Sequence, residues 1–316
     1  MARILVTRVL PDGGLDPLVA AGHEIVQRRD DTPYGTEGLI AAVADVDAVV
    51  CLLTDRIDKA VLAAGAEGRL RVVANVAVGY DNIDVAAAGA LGIAVCNTPG
   101  VLDETTADLA FLLILAASRL GSEAERDVRS GAWTGWGIRQ YLGRDVHGAV
   151  LGLVGYGRIG AAVARRAAGF SMTVLHHTRH DTGLPGFTAS LDALLGQSDI
   201  VSLHVPLNKA SRHLIGAREL ALMGPDAVLV NTARGPVVDE QALATALHAG
   251  TIFGAGLDVY EAEPAIHPRL LDAPRTVLLP HIGSATQSTR AKMAQMACGA
   301  VCAVLDGERP ANLVTA

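Results

Sequence analysis

Apolar residues fall along this chain in short unbroken runs rather than in alternation. ILVT (4–7), DAVVCLLT (47–54), the middle of LRVVANVAVGYD (70–81) and IAVCNT (93–98) are apolar at successive positions and rich in β-branched residues. A strand with one wet face alternates; a strand apolar on both faces is a parallel strand covered on both sides. Helix formers lie between the runs, as in GTEGLIAAVA (35–44). The rhythm resumes at VLGLV and continues through MTVLHH (172–177), DIVSLHVP (199–206), AVLVNTA (227–233), IFGAGLDV (252–259) and TVLLPH (276–281), with helices at SLDALLGQ (190–197) and DEQALATALHAG (239–250). Strand–helix alternation of this kind predicts an α/β fold with parallel sheets.

Three segments depart from the rhythm. A long helix is predicted from Pro99–Gly100 to about Ser118–Arg119, with Asp103 and Glu104 at its positive end. Its LAFLLILAA run is apolar all round, which predicts burial. GAWTGWGIRQYLGRDVHG (131–148) is Gly-rich, holds both Trp residues and predicts an irregular segment that projects or wraps. An amphipathic helix closes the chain, from about Ser284 to Asp306.

Length and composition narrow the class. At roughly 150 residues per domain, 316 residues make about two domains. Half the residues are hydrophobic and 19% are charged, which excludes disorder. A net charge of −7 gives no overall attraction for nucleic acid or an anionic membrane. The longest apolar run, Leu109 to Ala117, is nine residues against the ~20 a bilayer needs. Residues 2–9 read as a first strand and not a leader, so a soluble, cytoplasmic protein is expected. Cys51, Cys96, Cys298 and Cys302 have no metal-ligand spacing, and Cys298 and Cys302 read as small apolar packers on one helix face. No metal site is expected.

The chemistry concentrates in the second half. Gly155-Tyr-Gly157-Arg158-Ile159-Gly160 follows a strand and opens an Ala-rich helix, the setting in which G-x-G-x-x-G binds a dinucleotide. The first Gly allows the turn, the second lets backbone approach a pyrophosphate, and the third lets helix and strand pack closely. An NAD site commonly has an acid about 20 residues on, at the ribose 2′-OH. Here Thr178 stands 23 residues after Gly155, within His176-His177-Thr178-Arg179-His180, and no carboxylate occurs before Asp181. A hydroxyl, a guanidinium and three imidazoles suit a 2′-phosphate; the competing reading is a solvated basic turn. Arg234, Glu263 and His281 each lie just past the carboxyl end of a predicted strand of this half, where open α/β sheets bind ligands. Together they would supply a carboxylate anchor, an orienting acid and a proton donor for hydride chemistry on a 2-keto acid; taken singly, each could be a surface residue or a cap. Ala and Gly in Val76–Gly79 leave backbone donors open to an anion, or else close an ordinary turn.

NTARGPVVDE (231–240), GAGLDVYEAEP (254–264) and LLPHIGSAT (278–286) resemble the active-site blocks of the D-isomer-specific 2-hydroxyacid dehydrogenase family. NVAVGYDNIDV (75–85) and TPGVLDETTADLAFLLILAASR (98–119) resemble its other signature stretches, and the match runs through essentially the whole chain. Within the family it is most like the glyoxylate/hydroxypyruvate reductases. The resemblance implies Arg234, Glu263 and His281 as catalytic residues, and substrate contacts at Ala77, Val78 and Gly79. It implies cofactor contacts at Thr106, Val205, Pro206, Thr232, Ala233, Asp258 and Gly283, with Arg158 approaching the pyrophosphate. It also implies a homodimer in which a Trp of 131–148 reaches the neighbour's site; Trp136 is the candidate, although the flanking QYLGR departs from the family pattern and Trp133 stays open.

Departures from the pattern narrow the substrate. Formate dehydrogenases of the family pair a Gln with the His, where this chain has Glu263; phosphite dehydrogenases have a Lys at Ala77. Leu52, Leu53, Arg56 and the Trp residues could line several pockets, and Leu53 is the substrate-side candidate. The expectation is therefore two α/β lobes separated by a cleft: a flavodoxin-like substrate lobe from 1–98 and 284–316, and a Rossmann lobe over 99–283. NADPH is expected ahead of NADH, with NADH left open. The alternatives are an NAD-dependent phosphoglycerate or D-lactate dehydrogenase, and a dinucleotide-sensing corepressor.

Overall fold

A computed structural model describes residues 1–314, in which the chain divides into two units. Met1–Leu102 joins the segment from Ser284 onward, and Asp103–Gly283 forms the other. Among the described residues the strands are β1 (Arg3–Val6), β2 (Glu24–Gln27), β3 (Ala48–Cys51), β4 (Val72–Asn75), β5 (Ala94–Cys96), β6 (Val150–Val154), β7 (Thr173–His177), β8 (Ile200–Leu203), β9 (Val228–Asn231), β10 (Gly254–Leu257), β11 (Thr276–Leu278) and β12 (Leu313–Val314).

The discontinuous unit is built on one sheet, in the order β12-β5-β4-β3-β1-β2. Its strands run parallel except β12, which pairs antiparallel with β5. The central strands are the fully buried ones: β3 and β4 are buried at every position, Asn75 at the end of β4 included. β2, with Glu24 and Gln27 at its ends, lies at the edge and is only partly buried, so its sequence carries no apolar run to find. Leu5, Val49, Ile57, Leu62, Val73 and Val95 form the core. The helix Gln287–Leu305 packs on β3, β4 and β5, and buries Met293, Ala294, Ala297, Cys298 and Val301.

In the second unit the order is β11-β10-β9-β8-β6-β7, all parallel. The helix Asp103–Ser118 lies against β9, β10 and the helix Arg158–Ala168. Ala110, Leu113, Ile114 and Ala117 of that helix are buried, whereas Leu112 is 51% exposed, so one apolar position of the run faces out. The following helix, Gly121–Ser130, buries nothing. The segment 131–148 has no regular element and exposes Trp133, Trp136, Ile138 and Leu142. No single helix among the described residues is long and apolar enough to cross a membrane.

Strand order positions the chemistry in each unit. An open parallel sheet leaves a crevice beyond its carboxyl ends where the order reverses. In the second unit that point lies between β6 and β8, and in the first between β1 and β3.

Candidate active site

The glycine turn leaves β6 at the switch point of the second unit. Gly155 has φ +96°, and a Cβ there would stand 2.5 Å from the carbonyl oxygen of His204, which follows β8. Only glycine accepts both the conformation and the approach. A Cβ on Gly160 would meet Gly155 O at 2.4 Å, so the third glycine is needed for packing. Gly157 is different: a Cβ there would meet nothing within 4 Å. It caps the helix Arg158–Ala168 with no side-chain hydrogen bond, which leaves the positive helix end without a side-chain acceptor.

Beyond β7 the basic cluster divides. His176 is buried, with its Nε2 2.7 Å from Thr182 Oγ1 and its ring against Tyr156 and Phe187. Burial lowers its pKa. It is therefore a core residue beneath the glycine turn, and the imidazoles left for a 2′-phosphate are His177 and His180. His177 Nδ1 pairs with Thr188 O at 3.0 Å, and Thr178 donates its hydroxyl to His180 O at 2.5 Å. Arg179 and His180 are exposed. Arg158 Nε lies 3.4 Å from the Asp103 carboxylate.

The three charged candidates come from the ends of β9, β10 and β11. Asn231, the last residue of β9, shapes the first turn: its Oδ1 accepts from Ala233 N at 3.0 Å, and its Nδ2 donates to Arg234 O at 2.9 Å. Gly235 then lets this turn touch the next, since a Cβ there would stand 1.8 Å from the backbone carbon of Tyr260. Glu263 lies on that second turn and accepts from Tyr260 N at 3.0 Å. Its other oxygen, Oε2, is 2.8 Å from His281 Nδ1. Burial alone would raise the Glu263 pKa. The His281 hydrogen bond and charge, the Tyr260 amide and the Arg234 charge outweigh it, and the carboxyl sits below its ordinary value.

His281 itself has φ +53°. Its backbone is pinned from Asp258: His281 N donates to Asp258 O at 2.9 Å, while the buried carboxylate accepts from Ile282 N at 2.7 Å and Gly283 N at 2.8 Å. Burial raises the Asp258 pKa against the pull of those amides and of His281. Thr106 donates to Gly283 O at 3.2 Å and fastens the same turn. With Nδ1 directed at a carboxylate, Nε2 is the ring position left to exchange a proton.

The substrate-side candidates lie in the first unit. In the turn after β4 three successive carbonyls are taken: Ala77 O by Thr98 N at 2.9 Å, Val78 O by Asn97 Nδ2 at 2.8 Å and Gly79 O by Asn75 Nδ2 at 2.9 Å. The amides of Ala77, Val78 and Gly79 donate to no described residue. Three successive donors left uncommitted on a fastened turn are the kind of group an anion would take. Leu53, 37% exposed, follows β3. Asn231, Asn75 and Asn97 belong to no charged or glycine motif, although an Asn beside a strand end and a turn is a legible signal for this type of loop bracing.

Residues 111–283 match the family model for the D-isomer specific 2-hydroxyacid dehydrogenase, NAD binding domain. A glyoxylate reductase of Korarchaeum cryptofilum is 49% identical over 320 residues, 99% of this chain and 95% of the relative. The chain belongs to the D-isomer specific 2-hydroxyacid dehydrogenase family. A Thermus thermophilus protein of known structure has 43% identity and a TM-score of 0.93, covering 99% of this chain and all of its own. An NADPH-dependent glyoxylate/hydroxypyruvate reductase of Sinorhizobium meliloti, solved with NADP and malonate, has 35% identity and a TM-score of 0.85, over 99% and 96% of the two chains.

As a member of this dehydrogenase family the protein is an oxidoreductase, and its cofactor is a nicotinamide dinucleotide. The site fits one. The space a Cβ on Gly157 would enter is clear of protein, the adjacent helix end has no side-chain cap, and Thr232 Oγ1 is buried without a hydrogen-bond partner among the described residues. Gly155, Gly157, Arg158, Ile159 and Gly160 would hold the pyrophosphate, and Val205 and Pro206 lie across the switch point after β8.

Proposed function

We propose that this protein reduces glyoxylate to glycolate, and hydroxypyruvate to the D-2-hydroxy acid, with NADPH preferred over NADH. The observation that carries the reading is the His281–Glu263 pair at 2.8 Å, formed one strand away from Arg234 at the carboxyl edge of a sheet that also bears a dinucleotide turn. The glyoxylate reductase names of the similar relatives support the substrate class.

A nicotinamide dinucleotide held at the glycine turn would supply hydride chemistry. His281 gives a proton from Nε2 to the carbonyl oxygen of the keto acid, and Glu263 keeps Nδ1 protonated and the ring oriented. Arg234 holds the substrate carboxylate, a planar fork against a planar anion, and polarises the adjacent carbonyl. The amides of Ala77, Val78 and Gly79 are assigned to an anionic substrate group, and Thr106, Ala233, Asp258 and Gly283 to the nicotinamide side. His177, Thr178 and Arg179 are assigned to the 2′-phosphate, where Thr178 stands at the position an NAD-site acid commonly takes and Arg179 adds a charge-assisted contact. The protein acts as a cytoplasmic homodimer, with Trp136 directed to the neighbour's site.

Initial rates with glyoxylate, hydroxypyruvate, pyruvate and phosphohydroxypyruvate, each against NADH and NADPH, test the reading. The expected result is highest kcat/KM with the first two, and at least about a tenfold advantage for NADPH. The double change Thr178→Asp with Arg179→Ala should reverse the cofactor order. Equal use of both cofactors would leave Arg179 as a solvated turn residue. Preference for phosphohydroxypyruvate or pyruvate with NADH would favour the NAD-dependent alternatives, and no turnover at all would favour a sensor.

A further inference from the structure

A polar network that the proposed chemistry leaves unused lies at the switch point of the first unit. Asp55 and Arg8, 1% and 2% exposed, follow β3 and β1 on either side of that point. Asp55 Oδ2 accepts from the Thr7 hydroxyl at 2.5 Å and from Leu52 N at 2.9 Å, and its Oδ1 is 3.2 Å from Arg8 Nη1. Asn82 closes the same turn from the other side: its Nδ2 donates to Leu52 O at 3.1 Å and Asp55 O at 3.0 Å. Asn75, fully buried, then donates to Asn82 Oδ1 at 3.0 Å and to Gly79 O at 2.9 Å. A continuous chain of hydrogen bonds thus joins the turn that carries Leu53 to the turn that carries the uncommitted amides. Leu53 and Asn82 also line one crevice of about 500 Å³.

Such a network is costly where an apolar core would serve stability as well, and its matched amide donors hold one arrangement, while Asp55 Oδ1 has the Arg8 charge beside it but no hydrogen bond among the described residues. Both side-chain amides have their orientation fixed by it: a flipped Asn82 would put an acceptor against two carbonyls. We infer that Asn82 is a positioning residue for the keto acid, setting the amide turn through Asn75 and the Leu53 turn through Leu52 and Asp55, and so coupling carboxylate binding to selection of the substituent on the keto carbon. The inference rests on the keto-acid reductase reading above.

The test is steady-state kinetics of the full-length Asn82→Ala, Asn82→Ser and Thr7→Val proteins with glyoxylate, hydroxypyruvate and 2-ketobutyrate, and inhibition by oxamate. In the Asn82 variants KM for glyoxylate and Ki for oxamate should each rise about tenfold, the equivalent of one buried hydrogen bond at the upper end of its usual range, while KM for NADPH stays put. The ratio of kcat/KM for glyoxylate to that for 2-ketobutyrate should fall, because the Leu53 turn has lost its brace. Thr7→Val keeps the side-chain shape and loses one donor to Asp55, so it should shift the same ratio by less. If Asn82→Ala does not fold, the serine and valine variants decide. Folded variants with unchanged KM, Ki and ratio overturn the inference, as does an equal loss for all substrates and NADPH alike. A wild-type protein without keto-acid turnover overturns the underlying reading instead.

Discussion

His281 combines two constraints in one residue. Its ring is oriented by Glu263, and its backbone is held at φ +53° by the carbonyl and carboxylate of Asp258. A non-glycine residue in that region stays there only when its surroundings over-determine it. His281→Ala should therefore lower kcat by about 10²–10⁴-fold with cofactor affinity nearly intact; a variant with more than half the activity would remove His281 from the proton step. The Glu263 carboxyl has a depressed pKa, so it keeps its charge until pH falls through that lowered value and stands ionised across the neutral range. Glu263→Gln takes that charge from the protonated imidazole, and the pH profile of reduction should move to lower pH; an unmoved profile would mean the pair is not maintained in the working enzyme. Arg234→Lys keeps the charge and loses the fork, so KM for the keto acid should rise and kcat fall. A change confined to the cofactor KM would make Arg234 a cofactor ligand. Arg234, Glu263 and His281 are legible in the sequence because each follows a strand and sits within a recognisable block. Asn82 and Asp55 are not, because their role is a matter of which carbonyls they reach, and spacing does not encode that.

Among the elements, the glycine turn separates two kinds of glycine. Gly157 has φ −82°, which any residue adopts, and open space where its Cβ would point. Gly157→Ala should leave the melting temperature unchanged and raise the cofactor KM, since the methyl enters the space the pyrophosphate needs. Gly160→Ala pushes a Cβ to 2.4 Å from Gly155 O and should lower the melting temperature as well. If the two variants behave alike, the distinction between a binding glycine and a packing glycine fails here. Legibility of the elements follows burial. The long helix reads to its last residue, Ser118, and the central strands read within a few residues, because both carry long apolar runs. β2 and the helix Gly121–Ser130 do not read, being an edge strand with polar ends and a helix that buries nothing. His176 misleads for the opposite reason: its place in a basic run suggests solvent, and its ring is in the core.

For the molecule as a whole, stability is tied to pH through an imidazole near the glycine turn. Enclosure pushes His204, 2.9 Å from Ser202 Oγ, down to about 4 from its ordinary 6.5. As pH falls through 6.5 the unfolded chain takes up a proton that the folded one refuses until about 4, so stability drops across that window. His204→Gln should flatten the fall of melting temperature between those values; an equal slope would put the acid sensitivity elsewhere. The discontinuity of the first unit bears on how the protein comes off the ribosome. The helix Gln287–Leu305, which covers β3, β4 and β5, is encoded more than 180 residues after the last of those strands. At 5–20 residues per second the strands wait roughly 10–40 s for it, while Asp103–Gly283 has all it needs to fold first. During that interval one apolar sheet face of the nascent chain has no cover of its own, and this is the period in which a chaperone that shields apolar surface has most to offer.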